Sequence, residues 1–66
     1  MSNYIRKIED SGKLIILDDS SKWEVNSYDA FTTRMWMIMD NVSVSLNKMT
    51  NLSRKNETVF VTDLCR

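Results

Sequence analysis

The sequence predicts an all-β domain: a small antiparallel barrel of five or six strands with one short helical turn, of the Src-homology-3-like or oligonucleotide-binding kind. Three observations carry this expectation. Leu14 to Val25, LIILDDSSKWEV, reads as a hairpin, with an apolar run, four short polar residues and a second run holding Trp23 and Val25 two apart. Val42, Val44 and Leu46 alternate with Ser43, Ser45 and Asn47, the cleanest half-buried strand in the chain. Thr58 to Thr62, TVFVT, alternates again, with Val59 and Val61 on one face and Phe60 on the other. Runs this short and closely spaced suit an antiparallel meander that closes on itself.

Taken in order, Tyr4 to Asp10 carries Tyr4, Ile5 and Ile8 among charged residues. Helical spacing fits these three, but Ser11-Gly12 reads as a tight turn into Lys13–Leu17 and favours a strand. Gly12 is the only glycine, and a turn with positive φ is its natural use. Leu14 to Leu17 is continuously apolar, as in a strand covered on both faces or a barrel strand whose outer side is partly covered. Asn26 or Ser27 can cap a helical turn containing Tyr28 and Phe31. Met35-Trp36-Met37-Ile38-Met39 fits either a continued helix or a strand. The closing Asp40-Asn41 and the strand that follows favour a strand here, with Trp36 and Ile38 inward and the methionines outward. Asn47-Lys48 turns the chain back into Met49–Leu52, and residues 53–57 form a polar loop.

The 66 residues are expected to form a single domain, residues 1–66. A chain of this size buries only about 60% of its unfolded surface, so its stability margin is thin. Cys65 is the only cysteine and has no partner for a disulfide within the chain. Nine basic and nine acidic residues cancel, which removes the usual electrostatic footprint of a nucleic-acid binder or polybasic membrane anchor. No apolar run approaches the roughly 20 residues of a spanning helix. The opening MSNYIRKIED is polar and does not read as a secretory leader. The expected location is therefore the cytoplasm, unless Met1 replaces a removed leader.

The hairpin DDSSKWEV, the later tryptophan and the Asp-x-Val-x-Val run resemble small bacterial β-barrel proteins of unassigned function. In those proteins an Asp-Gly-Ser-x-Trp-x-Val hairpin precedes Trp and Asp-x-Val-x-Val. The matching positions are Asp19, Ser21, Trp23, Val25, Trp36, Asp40, Val42 and Val44, with Asn51 as a later match. Ser20 stands where that pattern has glycine. The resemblance covers about half the chain and implies a barrel and a bacterial origin; it implies no activity.

No catalytic constellation is present. The chain has no histidine, so the commonest general base is missing and no serine has a histidine partner. Asp18 and Asp19 suit a turn better than a cation, since Ca²⁺ needs 6–8 oxygens. Cys65 with carboxylates is a poor zinc set. The expectation is a protein that is not an enzyme, with no metal or other cofactor. Trp23, Val25, Trp36, Val42 and Val44 are the candidate core. Trp23, Tyr28, Phe31, Trp36 and Phe60 could instead form a stacking platform for single-stranded nucleic acid, the alternative function. The leading expectation is a protein-interaction or accessory module. Met35, Met37 and Met39 are its candidate partner surface, for a protein partner or a homo-oligomer, because methionine repacks readily. The edge of that strand could also accept another chain by strand addition. The cancelled charge argues against a nucleic-acid partner, and no membrane partner is expected.

Overall fold

A computed structural model describes residues 2–64 of the chain. Six strands form: β1 (Ser2–Glu9), β2 (Leu14–Leu17), β3 (Lys22–Val25), β4 (Asn41–Ser45), β5 (Lys48–Asn51) and β6 (Glu57–Asp63), with a 3-10 turn (Asp10–Gly12) between β1 and β2 and one α-helical turn, α1 (Ala30–Thr33), between β3 and β4. They close into an antiparallel barrel in the order β1-β2-β3-β6-β5-β4. The chain therefore lays down two three-stranded meanders, not one continuous one. The pairs β1–β4 and β3–β6 join them. The two long strands serve both halves. Ser2 to Tyr4 pair with β4, and Ile5 to Glu9 pair with β2. Glu57 to Phe60 pair with β5, and Val61 to Asp63 with β3. The register of β1 shifts between Ile5 and Lys7, where the strand bends from one partner to the other.

Alternation fills the interior. Ile15 and Leu17 of β2, Val25, Val42, Met49, and Val59 and Val61 of β6 point inward with Ile5 and Trp36. Each fully buried aliphatic side chain contributes about 1.5–3 kcal/mol. Leu14 and Ile16, the other half of the continuous run, lie half-buried on the outer side. Of the predicted core, Val25, Trp36 and Val42 are buried, while Trp23 and Val44 are half-buried and pack against the cluster.

The β2–β3 turn explains the DDSSKW stretch. Asp19 Oδ1 accepts the Ser21 N–H at 3.0 Å and the Ser21 hydroxyl, and Ser21 Oγ accepts the Trp23 indole N–H at 2.9 Å. Asp18 Oδ1 accepts from Asn3 Nδ2 at 2.9 Å and from the Tyr4 N–H, tying the turn to β1. Ser20 has φ 70°, so the backbone adopts a left-handed position without glycine.

Five expectations are corrected. Met35 to Met39 is not a strand but an irregular connection. β1 already occupies the side of β4 that such a strand would need, and the barrel is closed. The Met35 and Trp36 N–H groups instead bond back to Thr32 O and Thr33 O, prolonging the helical turn. Ile38 is therefore exposed rather than inward, and no strand edge exists there for strand addition. Leu46, assigned inward by alternation, instead occupies the β4–β5 turn with φ 56° and is exposed. The turn residues are accordingly Leu46-Asn47, and Lys48 opens β5. The Cys65 thiol lies outside the described residues. Among the described residues no helix is long and apolar enough to cross a membrane.

Candidate interaction surface

The β3–β4 connection, residues 26–40, carries most of the exposed large apolar side chains. Its first turn is set by Asn26. Asn26 Oδ1 accepts the Tyr28 N–H at 2.9 Å, and Asn26 O accepts from Asp29 and Ala30. Asp29 Oδ2 then accepts the Phe60 N–H at 2.8 Å, fastening the turn to β6. Ala30 and Thr33 face inward, and Thr33 Oγ1 donates to Gly12 O. The opposite face of α1 is apolar and wet. Phe31 and Met35, four apart, share it, with Tyr28 three residues before Phe31.

Trp36 turns the chain inward. Its ring is only 4% exposed, and its Nε1 donates to Glu57 Oε1 at 2.8 Å. Asp40 closes the connection. Its Oδ2 accepts the Met37 N–H at 3.0 Å, Asn51 Nδ2 at 3.0 Å and Arg54 Nε at 2.9 Å. The backbone is tied to β1 as well, through Met39 N–H to Ile5 O at 2.8 Å and Ile5 N–H to Asp40 O at 3.0 Å. The three residues Trp36, Asp40 and Asn51, matched separately in sequence, thus underpin one connection.

Met35, Met37 and Met39 are 69%, 61% and 66% exposed on this clamped backbone. They do not share one strand face. Met35 belongs to the helical face with Phe31. Met37 joins Ile8, Asp10, Arg34, Trp36 and Ile38 around a shallow groove of about 560 Å³. Met39 sits beside the backbone of Ile5, with φ 79°. Among the described residues, six other non-glycine residues outside the strands share a positive φ, so this marks Met39 as a turn position. Arg34 and Asp10, on the groove rim, went unnoticed in the sequence because 23 intervening residues separate them. Phe31 is 76% exposed, where a capped helical turn alone gave no hint of which face would be wet.

The proposed stacking platform does not assemble as a unit. Trp36 is buried and Trp23 half-buried, leaving Tyr28, Phe31 and Phe60 exposed. Tyr28 and Phe60 flank a second, more polar groove of about 530 Å³ with Lys13, Glu24, Asn26 and Asn47. Lys48 Nζ lies 5.7 Å from the centre of the Phe60 ring.

Burial acts on the Asp40 carboxyl most strongly and raises its pKa. The hydrogen bonds from Asn51, Met37 and Arg54, with the Arg54 charge, together outweigh it and hold the pKa below the usual 3.8. A depressed carboxylate stabilises the fold fully above its unfolded pKa, and that stabilisation is lost as pH falls through the folded value. The urea midpoint should therefore fall below about pH 4, and more steeply in the wild type than in Asp40→Asn. Parallel pH profiles for the two proteins would contradict the clamp. The Asp19 carboxyl is also lowered, by the Ser21 hydroxyl and then the Ser21 N–H.

No family model, curated protein or solved structure matches this chain.

Proposed function

We propose that this barrel is a non-enzymatic interaction module that engages a protein partner through the β3–β4 connection, with Met35, Met37 and Met39 among the contacting side chains. One observation carries the reading most: the three methionines stand in water on backbone fastened from beneath by Trp36 and Asp40. A preorganised backbone lowers the ordering cost of binding. Methionine side chains on that backbone can still adapt to a partner's shape. Exposed apolar surface concentrated in one place is characteristic of interaction sites.

The test compares the wild type with a triple variant, Met35→Thr, Met37→Thr and Met39→Asn. Asparagine is chosen at 39 because a β-branched residue is poorly suited to φ 79°. Tagged proteins are used to capture partners from a lysate of the source cell, with and without nuclease. The expected result is nuclease-resistant capture of a protein by the wild type and its loss in the variant. Undiminished capture by the variant would remove the methionines from the surface.

A second reading, binding of single-stranded nucleic acid, has one observation in its favour. Tyr28 and Phe60 flank a groove that also holds Lys13. It ranks lower because the charges cancel, and phosphate neutralisation dominates such binding. Capture abolished by nuclease would reverse the ranking.

A further inference from the structure

We propose that Met35, Met37 and Met39 are a reversible oxidation site, and that a peroxide switches the interaction surface off by converting their thioethers to sulfoxides. This rests on the interaction-module reading and names the regulation of its surface. The first argument is a contrast in access. Met35, Met37 and Met39 stand in water, while Met49 is wholly buried in the barrel core. Sulfur must meet the oxidant for the reaction to occur, so susceptibility follows exposure. Among the described residues, three open thioethers thus lie within one five-residue run, and a closed one on β5 serves as the internal standard.

The second argument is that the bonds fastening this connection run through other groups. Trp36 Nε1 donates to Glu57, and Asp40 Oδ2 accepts from the Met37 N–H, Asn51 Nδ2 and Arg54 Nε. The Met39 N–H meets Ile5 O through the main chain. An oxygen added to an outward sulfur leaves each of these bonds in place. What changes is the surface. Oxidation turns a flexible apolar side chain into a polar one. A partner covering it must strip water from the S=O group, which is unfavourable unless a donor meets it. The three side chains have different surroundings: Met35 shares the outer face of α1 with Phe31, Met37 lines a groove with Ile8 and Ile38, and Met39 sits beside Ile5. Each is a separate target, so the switch needs no continuous patch.

In the forward step a sulfur lone pair attacks one oxygen of hydrogen peroxide; the S–O bond forms and the O–O bond breaks. The departing hydroxide takes up the proton of the transferred oxygen and becomes water. Sulfur gives up two electrons and the peroxide receives them. In the reverse step a methionine sulfoxide reductase draws two electrons from a pair of thiols, and returns the thioether, water and a disulfide.

The test treats the folded full chain with hydrogen peroxide and follows each methionine by the mass of its tryptic peptide. Cleavage after Arg34, Lys48 and Arg54 places Met35, Met37 and Met39 in residues 35–48 and Met49 in residues 49–54. The three should each oxidise at least about tenfold faster than Met49, and the contrast should vanish in the urea-unfolded chain. The urea midpoint of the oxidised protein should match that of the untreated one. Met49 reacting in step with the others overturns the proposal, as does a midpoint that falls when only Met35, Met37 and Met39 are oxidised. Capture of the protein partner should drop at least about tenfold on oxidation and return after treatment with methionine sulfoxide reductases and dithiothreitol. Cys65→Ser should respond to peroxide as the wild type does; a response lost in that variant would belong to the thiol and overturn the proposal. Undiminished capture by the oxidised protein removes the switch and leaves the module reading standing. Should the untreated wild type capture no protein, the module reading falls and the switch with it, while the peptide map still decides the oxidation site.

Discussion

Gly12→Ala is expected to cost about 3–4 kcal/mol, because two penalties add at one atom. Gly12 has φ 91°, a backbone conformation that L-residues rarely adopt. A Cβ there would lie 2.8 Å from each of three atoms: Ala30 O, Arg34 Cγ and Thr33 Oγ1. Two belong to the helical turn and one to the residue just past it, so relief means pushing α1 off the barrel. The Asp10–Gly12 turn and α1 are also joined by the buried Thr33 hydroxyl, which donates to Gly12 O. A domain of this size holds only about 3–10 kcal/mol in total, so the variant should be largely unfolded or close to it. Urea denaturation followed by circular dichroism checks this. A loss under about 1 kcal/mol would show that α1 yields without cost.

Trp36→Ala is expected to cost about 3–5 kcal/mol, and Trp23→Ala only about half as much. Both tryptophans are candidate core by sequence, but their surroundings differ. The Trp36 ring is buried among the barrel residues and its indole N–H is held by Glu57. Trp23 is half-buried, and its indole N–H stops at Ser21 on the rim. Removing Trp36 leaves a cavity under the methionine connection, while the exposed Glu57 carboxylate turns to water. Removing Trp23 leaves a dent that water can fill. Equal losses from parallel urea titrations would show that the two rings are equally enclosed, contrary to this placement.

These residues also show what could be read from the chain alone. The β2–β3 hairpin was legible because its determinants are local: two carboxylates and two serines make the turn, and Trp23 and Val25 follow at strand spacing. The inward set on β6, Val59 and Val61, was legible for the same reason. The Met35–Met39 segment was not. An apolar run of five fits a strand, a helix or an exposed connection, and the choice depends on whether a ladder position is vacant beside β4. That vacancy is filled by β1, from the far end of the chain. Leu46 was misplaced because alternation cannot show where a strand ends and a turn begins. The fastening of Asp40 by Asn51 and Arg54, the packing of Gly12 on Thr33 and the shared groove of Asp10 and Arg34 all join distant segments. Neither periodicity nor turn chemistry reports such contacts.

The most direct measurement is the unfolding free energy of the Met35→Thr, Met37→Thr, Met39→Asn variant in urea, set beside that of the wild type. The three side chains stand in water, and asparagine suits the left-handed backbone at 39 better than methionine does. The variant should therefore keep the wild-type stability within about 0.5 kcal/mol while losing partner capture. A loss of more than about 2 kcal/mol would place the methionines in the core and contradict their role as a partner surface.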